Sequence, residues 1–349
     1  MYLGTFVEAS KKHLPDTPLN CNLYVAVCRY LRYTVRDNSC IRTTMDGGLS
    51  LTARKIATGD YARLEAAGGF LQLYCRNIKR WTESGIIVPE DCFIFDINGD
   101  VAGGVCFSDD SEHEREILDF AIIDAKAAHG AGMLEDAVRL AAGAQTKSVG
   151  YNLYDDTEQY ADLLDLFGQA GFQVVQEKKS YTYELDKAPI RLGSLIYRSI
   201  AETGEEKYIK TVRDVTVGTL DRSMANDAAR LGGPAAAREY ILSLKKYNYN
   251  PDWWKLGYHG DQIVGLILPQ KFDAERGGIN YVGVVPQHRG RGYGAELLAE
   301  GTRILHESGV RKIYADIDIA NHPLEAELER VGYVFRMRES VLSYPVSAG

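Results

Sequence analysis

The sharpest chemical signal in the sequence is the run Ile279 to Leu298, INYVGVVPQHRGRGYGAELL. Glycines at 290, 292 and 294 let the backbone approach a ligand closely. The residues after them are spaced for an amphipathic helix to about His306. The first N–H groups of such a helix are unpaired and carry the positive end of its dipole, so the turn can hold a phosphate or pyrophosphate. Arg289 and Arg291 add formal charge beside it. Downstream, Asp316 and Asp318 alternate on a predicted strand, Lys312 to Asp318, and so share one face. Ligands of α/β sheets gather at the carboxyl ends of strands. A carboxylate there can take the proton of an ammonium, directly or through water, or else serve as an ion pair or helix cap. His288 is a further candidate base. Tyr247, Tyr249, Trp253, Trp254 and Tyr258 cluster upstream and either line an acceptor pocket or pack a core.

These groups need elements to position them. Ile279 to Val285 reads as a strand ending at Pro286, and the glycine turn leads from it into the helix. Gly290, Gly292 and Ala295 also satisfy GxGxxA, with Asp316 a little over twenty residues on. A dinucleotide unit, however, places its glycines directly after an opening strand. Here Pro286 to Arg289 intervene and a hairpin comes first. No Lys-Ser/Thr pair closes the motif, so it is not a Walker loop.

The same order occurs twice. The hairpin turn at Gly99 is repeated at Gly260, Gly130 at Gly292 and Gly171-Phe172 at Gly332-Tyr333, with offsets of 161, 162 and 161 residues. The hairpins CFIFDINGDVAGGVCF and WWKLGYHGDQIVGLIL imply antiparallel pairing, and the strand-helix-strand segments after them a right-handed parallel crossover. The expected fold is α/β with a mixed sheet: two tandem domains, 45–187 and 192–349, each flanked by helices. Residues 1–44 lie outside the repeat and stop before Met45, so they are expected to be a poorly ordered tail or an over-long start. The rival expectation is that Leu23 to Val35 adds a strand to a sheet edge.

Composition narrows the function. With 40 Lys and Arg against 48 Asp and Glu, the net charge is −8, which argues against nucleic acid or an anionic membrane as partner. No apolar run approaches a spanning helix. Leu23 to Cys28 is cut short by Arg29 and has no cleavage site behind it. The six cysteines show no CxxC spacing, the seven histidines no HExxH, and no GxSxG elbow occurs. A cytoplasmic protein with reduced thiols and no metal site is expected.

The segment Val284 to Ala295 resembles motif A of the GNAT superfamily of acyl-CoA N-acyltransferases, whose signature Arg/Gln-x-x-Gly-x-Gly/Ala is met by Arg289, Gly292 and Gly294. The second family segment is present as strand Lys312 to Asp318, Asn321, and a helix from Pro323 to Arg330 ending at Gly332-Tyr333. The resemblance implies that backbone amides of Arg289, Gly290, Arg291, Gly292, Tyr293, Gly294 and Ala295 bind the pyrophosphate of acetyl-CoA as co-substrate. It also implies that Val284 and Val285 pair with its pantetheine arm, and that Asn321 contacts it. Asp318 and Asp316 are then candidate bases, and Trp253, Trp254 and Tyr258 candidate contacts of a small-molecule amine acceptor. Many members carry a tyrosine four residues before the Gly-aromatic pair as general acid; that position is Leu328. In the first domain Arg289 aligns with Ala127 and Asn321 with Tyr160, so that copy is degenerate. The implied activity is N-acetyl transfer in the second domain, with a non-enzymatic coenzyme A-binding or regulatory protein as the rival.

Overall fold

The computed structural model describes residues 32–36, 40–45, 50–109, 113–123, 129–157, 160–184, 193–246 and 248–346. Its first strands fall inside the stretch expected to be a tail. β1 (Arg32–Arg36) pairs antiparallel with β2 (Cys40–Met45), and β2 with β3 (Ser50–Lys55). Both early strands are rich in β-branched residues, and Ile41 is buried. The tail expectation is therefore corrected for these residues, and the edge-strand rival holds at 32–36; residues 1–31 lie outside the described residues.

Helices α1 (Asp60–Ala67) and α2 (Gly69–Glu83) follow, then the hairpin of β4 (Cys92–Ile97) and β5 (Asp100–Asp109). Its turn residues Asn98 and Gly99 have φ of 52° and 88°, the two positive values that a tight turn matched to the strand twist requires. Next come β6 (Glu114–Ile122), α3 (Gly130–Ala141), β7 (Ser148–Tyr154), α4 (Tyr160–Gln169) and β8 (Gln173–Glu184). The second copy runs through β9 (Ile196–Ser199), α5 (Ile200–Thr203), α6 (Glu205–Thr216), α7 (Arg222–Leu231) and α8 (Gly233–Lys245). It continues with the hairpin of β10 (Lys255–His259) and β11 (Gln262–Lys271), then β12 (Arg276–Val284), α9 (Tyr293–Glu307), β13 (Lys312–Asp318), α10 (His322–Val331) and β14 (Val334–Pro345).

The chain divides into two units, and the division differs from the expected one. From Gln176 onward β8 belongs to the C-terminal unit, where Lys178 to Glu184 pair antiparallel with β13. From Glu339 onward β14 belongs to the N-terminal unit, where it pairs antiparallel with β7. Each copy thus completes its sheet with the other copy's last strand. The boundary expected near 187–192 falls instead after Val175 and again after Arg338. The two last strands are homologous, so either fits beside the strand it joins.

Within the C-terminal unit the order β8-β13-β12-β11-β10-β9 forms a sheet with helices on both faces. Side chains alternate between them. Ile267 packs with Leu298 and Leu305 of α9, whereas Leu266 and Leu268 pack with Tyr208, Val212 and Ile241 of α6 and α8. The N-terminal unit repeats this, down to the register: β6 and β7 pair in parallel at Glu114, Arg115 and Glu116, and β12 and β13 at Arg276, Gly277 and Gly278.

Two truncations test the two corrections. A chain starting at Met45 loses β1 and the buried Ile41, worth about 1.5–3 kcal/mol; its thermal midpoint should fall by more than a few degrees. An unchanged midpoint would show that these strands add nothing. A fragment of residues 192–349 lacks Tyr181 and Tyr183, both buried in the C-terminal core, and should show no cooperative thermal transition.

Candidate functional site

The site begins where a pairing stops. β12 and β13 hydrogen-bond in parallel only from Arg276/Lys312 to Gly278/Tyr314, yet β12 continues to Val284 and β13 to Asp318. The register of β12 against β11 shifts at the same point: Leu268 faces Tyr281 and Pro269 faces Ile279, leaving Asn280 as the extra residue of a β-bulge. A bulge bends its strand away from the regular path. Beyond it the facing edges of the two strands part and no longer pair with each other; the β12 carbonyls of Asn280 and Val284 accept instead from the Tyr240 hydroxyl and Arg289 Nε. A cleft of about 450 Å³ lies there, lined by Ile279 to Val284 and Ala315 to Ile317.

At the end of β12 the glycine loop forms the cleft's next wall. Gly290 and Gly292 have φ of 74° and 81°, where a side chain would strain the backbone. Gly292 caps α9, and no side chain satisfies the helix's first N–H groups. Val284, Arg289, Gly290, Gly292, Tyr293, Gly294 and Asn321 all line the cleft. Arg291 is exposed and Ala295 buried, and neither side chain lines it. Val285 stands apart: its N–H donates to the Val264 carbonyl, its own carbonyl accepts from His288, and its side chain is buried with the α6–α8 core. Asn321 caps α10, its Oδ1 accepting from Leu324 N–H at 3.3 Å. An uncapped helix start and the gap between two parted strands fit a phosphate-bearing ligand with an amide-containing arm.

Arg289 does something the sequence did not suggest. Its Nε donates to the Val284 carbonyl at 3.1 Å, Nη1 to Gly218 at 3.2 Å, and Nη2 to Val215 and Val217 at 2.9 and 2.8 Å. Four of its roughly five N–H donors therefore hold main-chain carbonyls, three at the end of α6 and in the loop after it and one on β12. The guanidinium ties that loop to β12 and compensates the negative end of α6.

The two aspartates separate. Asp318 is buried and accepts from the Gln176 side chain at 3.0 Å, Arg222 N–H at 3.3 Å and Ala320 N–H at 2.9 Å, and it does not line the cleft. Its place is that of a brace between β13 and the start of α7, not of a base. Asp316 lines the cleft; its Oδ1 accepts from the Ser180 hydroxyl. Desolvation raises its pKa, with the Ser180 bond and the Lys178 charge opposing. A raised carboxyl is a better proton acceptor near neutrality than an ordinary one.

The aromatic acceptor expectation is corrected. Trp254 is fully buried, with the Tyr208 and Tyr249 rings at 6.0 and 4.7 Å. Tyr258 is buried too, and Trp253 packs against the cores on both faces of the sheet. None of the three lines the cleft; Tyr247 lies outside the described residues. The cluster is core because alternate residues of β10 point into the α6–α8 layer. The cleft residue that sequence reasoning missed is Tyr281. Its ring meets Tyr240 edge-on at 5.5 Å, its hydroxyl lies 3.3 Å from Thr216 Oγ1, and burial pushes its phenol up to about 12. Thr216 gives its own proton to the Val212 carbonyl, so Tyr281 is the donor of that pair. As one apolar-looking residue in INYVGV, it carried no spacing signal. Leu328, at the family's tyrosine position, lines the cleft as a buried apolar side chain.

In the N-terminal unit, among the described residues, aromatic rings stand at the equivalent parting of the strands. β6 and β7 part after Glu116/Gly150, with the same bulge, at Leu118. Between them Phe167 stacks on Tyr151 at 4.4 Å and meets Phe120 at 5.2 Å. A Cβ on Gly130 would stand 2.4 Å from Ile122 Cδ1 and 2.9 Å from Leu166 Cδ1. Ala127 lies outside the described residues. Among the described residues no group of His, Cys, Asp or Glu is placed to hold a metal, and no helix is long and apolar enough to cross a membrane.

Comparison with known proteins agrees with this geometry. Residues 225–333 match the family model described as the acetyltransferase (GNAT) family. An acetyltransferase of Sodalis glossinidius (strain morsitans) is 31% identical over 98 residues, covering 28% of this chain and 67% of that protein. One from Photorhabdus laumondii subsp. laumondii is also 31% identical over 98 residues, covering 28% and 68%. The crystal structure of a GCN5-related N-acetyltransferase from Sphaerobacter thermophilus superposes with a TM-score of 0.57 at 17% identity, over 84% of this chain and 95% of that one, and so shares its fold. The family matched is one of acyltransferases, which generally draw on an acyl-coenzyme A donor. The chain belongs to the GNAT acetyltransferase family.

Gly292→Val should raise the dissociation constant for acetyl-CoA by well over tenfold, roughly 1.4 kcal/mol or more, measured on the folded fraction, and its strained backbone should lower the thermal midpoint. Unchanged affinity by calorimetry would remove the loop from the site. Gly130→Val should also lower the thermal midpoint, through overpacking of about 1–3 kcal/mol, but leave affinity in the folded fraction unchanged.

Proposed function

We propose that the chain is an N-acetyltransferase that moves the acetyl group of acetyl-CoA to the amine of a small-molecule acceptor, with the C-terminal unit as its working half. The observation that carries this reading is the parting of β12 and β13 beside an uncapped helix start. The loop amides from Gly290 to Gly294 would hold the phosphates, and the gap between the parted strands β12 and β13 the pantetheine arm. When bound, the coenzyme supplies an activated acyl carbon; the chain's own residues orient the amine and manage its proton.

Orientation alone can supply much of the rate in such a transfer. Asp316 is the base of this reading: Ser180 engages its Oδ1 and leaves Oδ2 to take the ammonium proton. Because its folded pKa is raised, the charged, accepting form is lost at a higher pH than for an ordinary carboxylate, and activity should fall on the acid side accordingly. Tyr281 keeps its proton through neutral pH and spends it on Thr216, so it lines the cleft as an aromatic wall, and with Leu328 apolar the departing thiolate takes its proton from solvent.

A coenzyme-dependent thiol-release assay over a panel of amines tests the reading. Asp316→Asn should lower kcat by about 100-fold or more with the thermal midpoint unchanged, whereas Asp318→Asn should lower the midpoint. Saturable coenzyme binding with no release on any amine would favour the non-enzymatic rival. Full activity in Asp316→Asn would exclude it as base.

A further inference from the structure

The cleft has two unlike faces. The face toward α9 and α10 carries the loop, Asn321 and Leu328. The other, toward α6 and α7, is built from Val215, Gly218 to Asp221, Tyr281 and Asp316. Tyr281 packs with the α6–α8 core, and Asp316 shares its face of β13 with Asp318, which touches the start of α7.

Three features of this second face point to one kind of acceptor. First, its rim is apolar and open to water. Leu220 is 47% exposed and lines the cleft, and Val217 in the same loop is 62% exposed. An exposed apolar side chain in the cleft lining offers surface that an apolar ligand body would cover. Second, its charged groups are acidic. Asp316 lies in the cleft, and Asp221 lines it with one oxygen capping α7 through Met224 N–H at 2.9 Å. Third, besides His288 at the loop end, the lining offers an acid no free lysine or arginine. Among the described residues lining the cleft, Arg289 is the only Lys or Arg, and its donors are held by four carbonyls. Lys178 lies opposite Asp318 on β8 and Arg222 begins α7, but neither lines the cleft. The wall itself is held in place, because those four bonds fix Val215, Val217 and Gly218 against β12.

We propose that the acceptor is a primary amine on an apolar body with no acidic group, its body against Val215, Leu220 and the Tyr281 ring and its nitrogen at Asp316. This rests on the N-acetyltransferase reading above. An amine bearing a carboxylate would set that group against Asp221 or Asp316, on a face whose lining holds no lysine or arginine with free donors.

The test uses the full chain and three probes: 2-phenylethylamine, L-phenylalanine, which adds only a carboxylate, and putrescine, which lacks the apolar body. Calorimetry without coenzyme and thiol release with acetyl-CoA are both read. The expected result is that 2-phenylethylamine binds and turns over at least about tenfold better than either other probe. Leu220→Asp should weaken 2-phenylethylamine binding several-fold while its coenzyme affinity and thermal midpoint stay as in the parent. Preference for L-phenylalanine or putrescine, or indifference to Leu220→Asp, would overturn the proposal and leave the acetyltransferase reading standing. Absence of thiol release with every amine would overturn both.

Discussion

Three residue pairs of parallel β-sheet set the design of this protein. β12 and β13 are joined from Gly278/Tyr314 back to Arg276/Lys312 and then part at the bulged Asn280. Had the ladder continued, its hydrogen bonds would have closed the gap. Because it stops, the gap itself becomes a recognition surface, flanked by the positive end of α9. Everything else in the C-terminal unit serves to keep that gap open and differently furnished on its two sides.

Arg289 is the link between the two sides. A cation next to a phosphate loop invites the simplest electrostatic reading, yet its N–H groups meet four carbonyls first. The arrangement is physically sensible: the end of α6 presents carbonyls without helical partners, and a guanidinium is the side chain best able to satisfy several at once. The motif residue thus acts by placing the loop from Val217 to Asp221, while the loop amides remain the anion-binding groups. Asp318 works in the same way, bracing α7 through Arg222 N–H, and frees Asp316 to face the cleft.

Much of this was legible in the sequence. The glycine offsets of 161 and 162 residues correspond to matched strand registers in the two units, and Lys312 to Asp318 is the strand expected. Glycine and turn residues report backbone geometry locally, so they survive without knowledge of the rest. Long-range choices did not show. Nothing in β8 or β14 says which sheet each joins, because homologous strands present the same edge and the same alternation. Trp254 looked like a pocket residue until its neighbours Tyr208 and Tyr249 placed it in a core. Tyr281 gained meaning only once the bulge beside it was known. The sequence of the first copy showed a loop lacking its arginine; only packing showed Phe120, Tyr151 and Phe167 at the parting of its strands.

The two units therefore represent one architecture used in two ways, with the gap open in one and aromatic rings standing at the same place in the other. Titration of the full chain with coenzyme A by isothermal calorimetry tests this account most directly, since it counts open gaps. The account predicts about one equivalent bound per chain. Two equivalents per chain, or none, would contradict it.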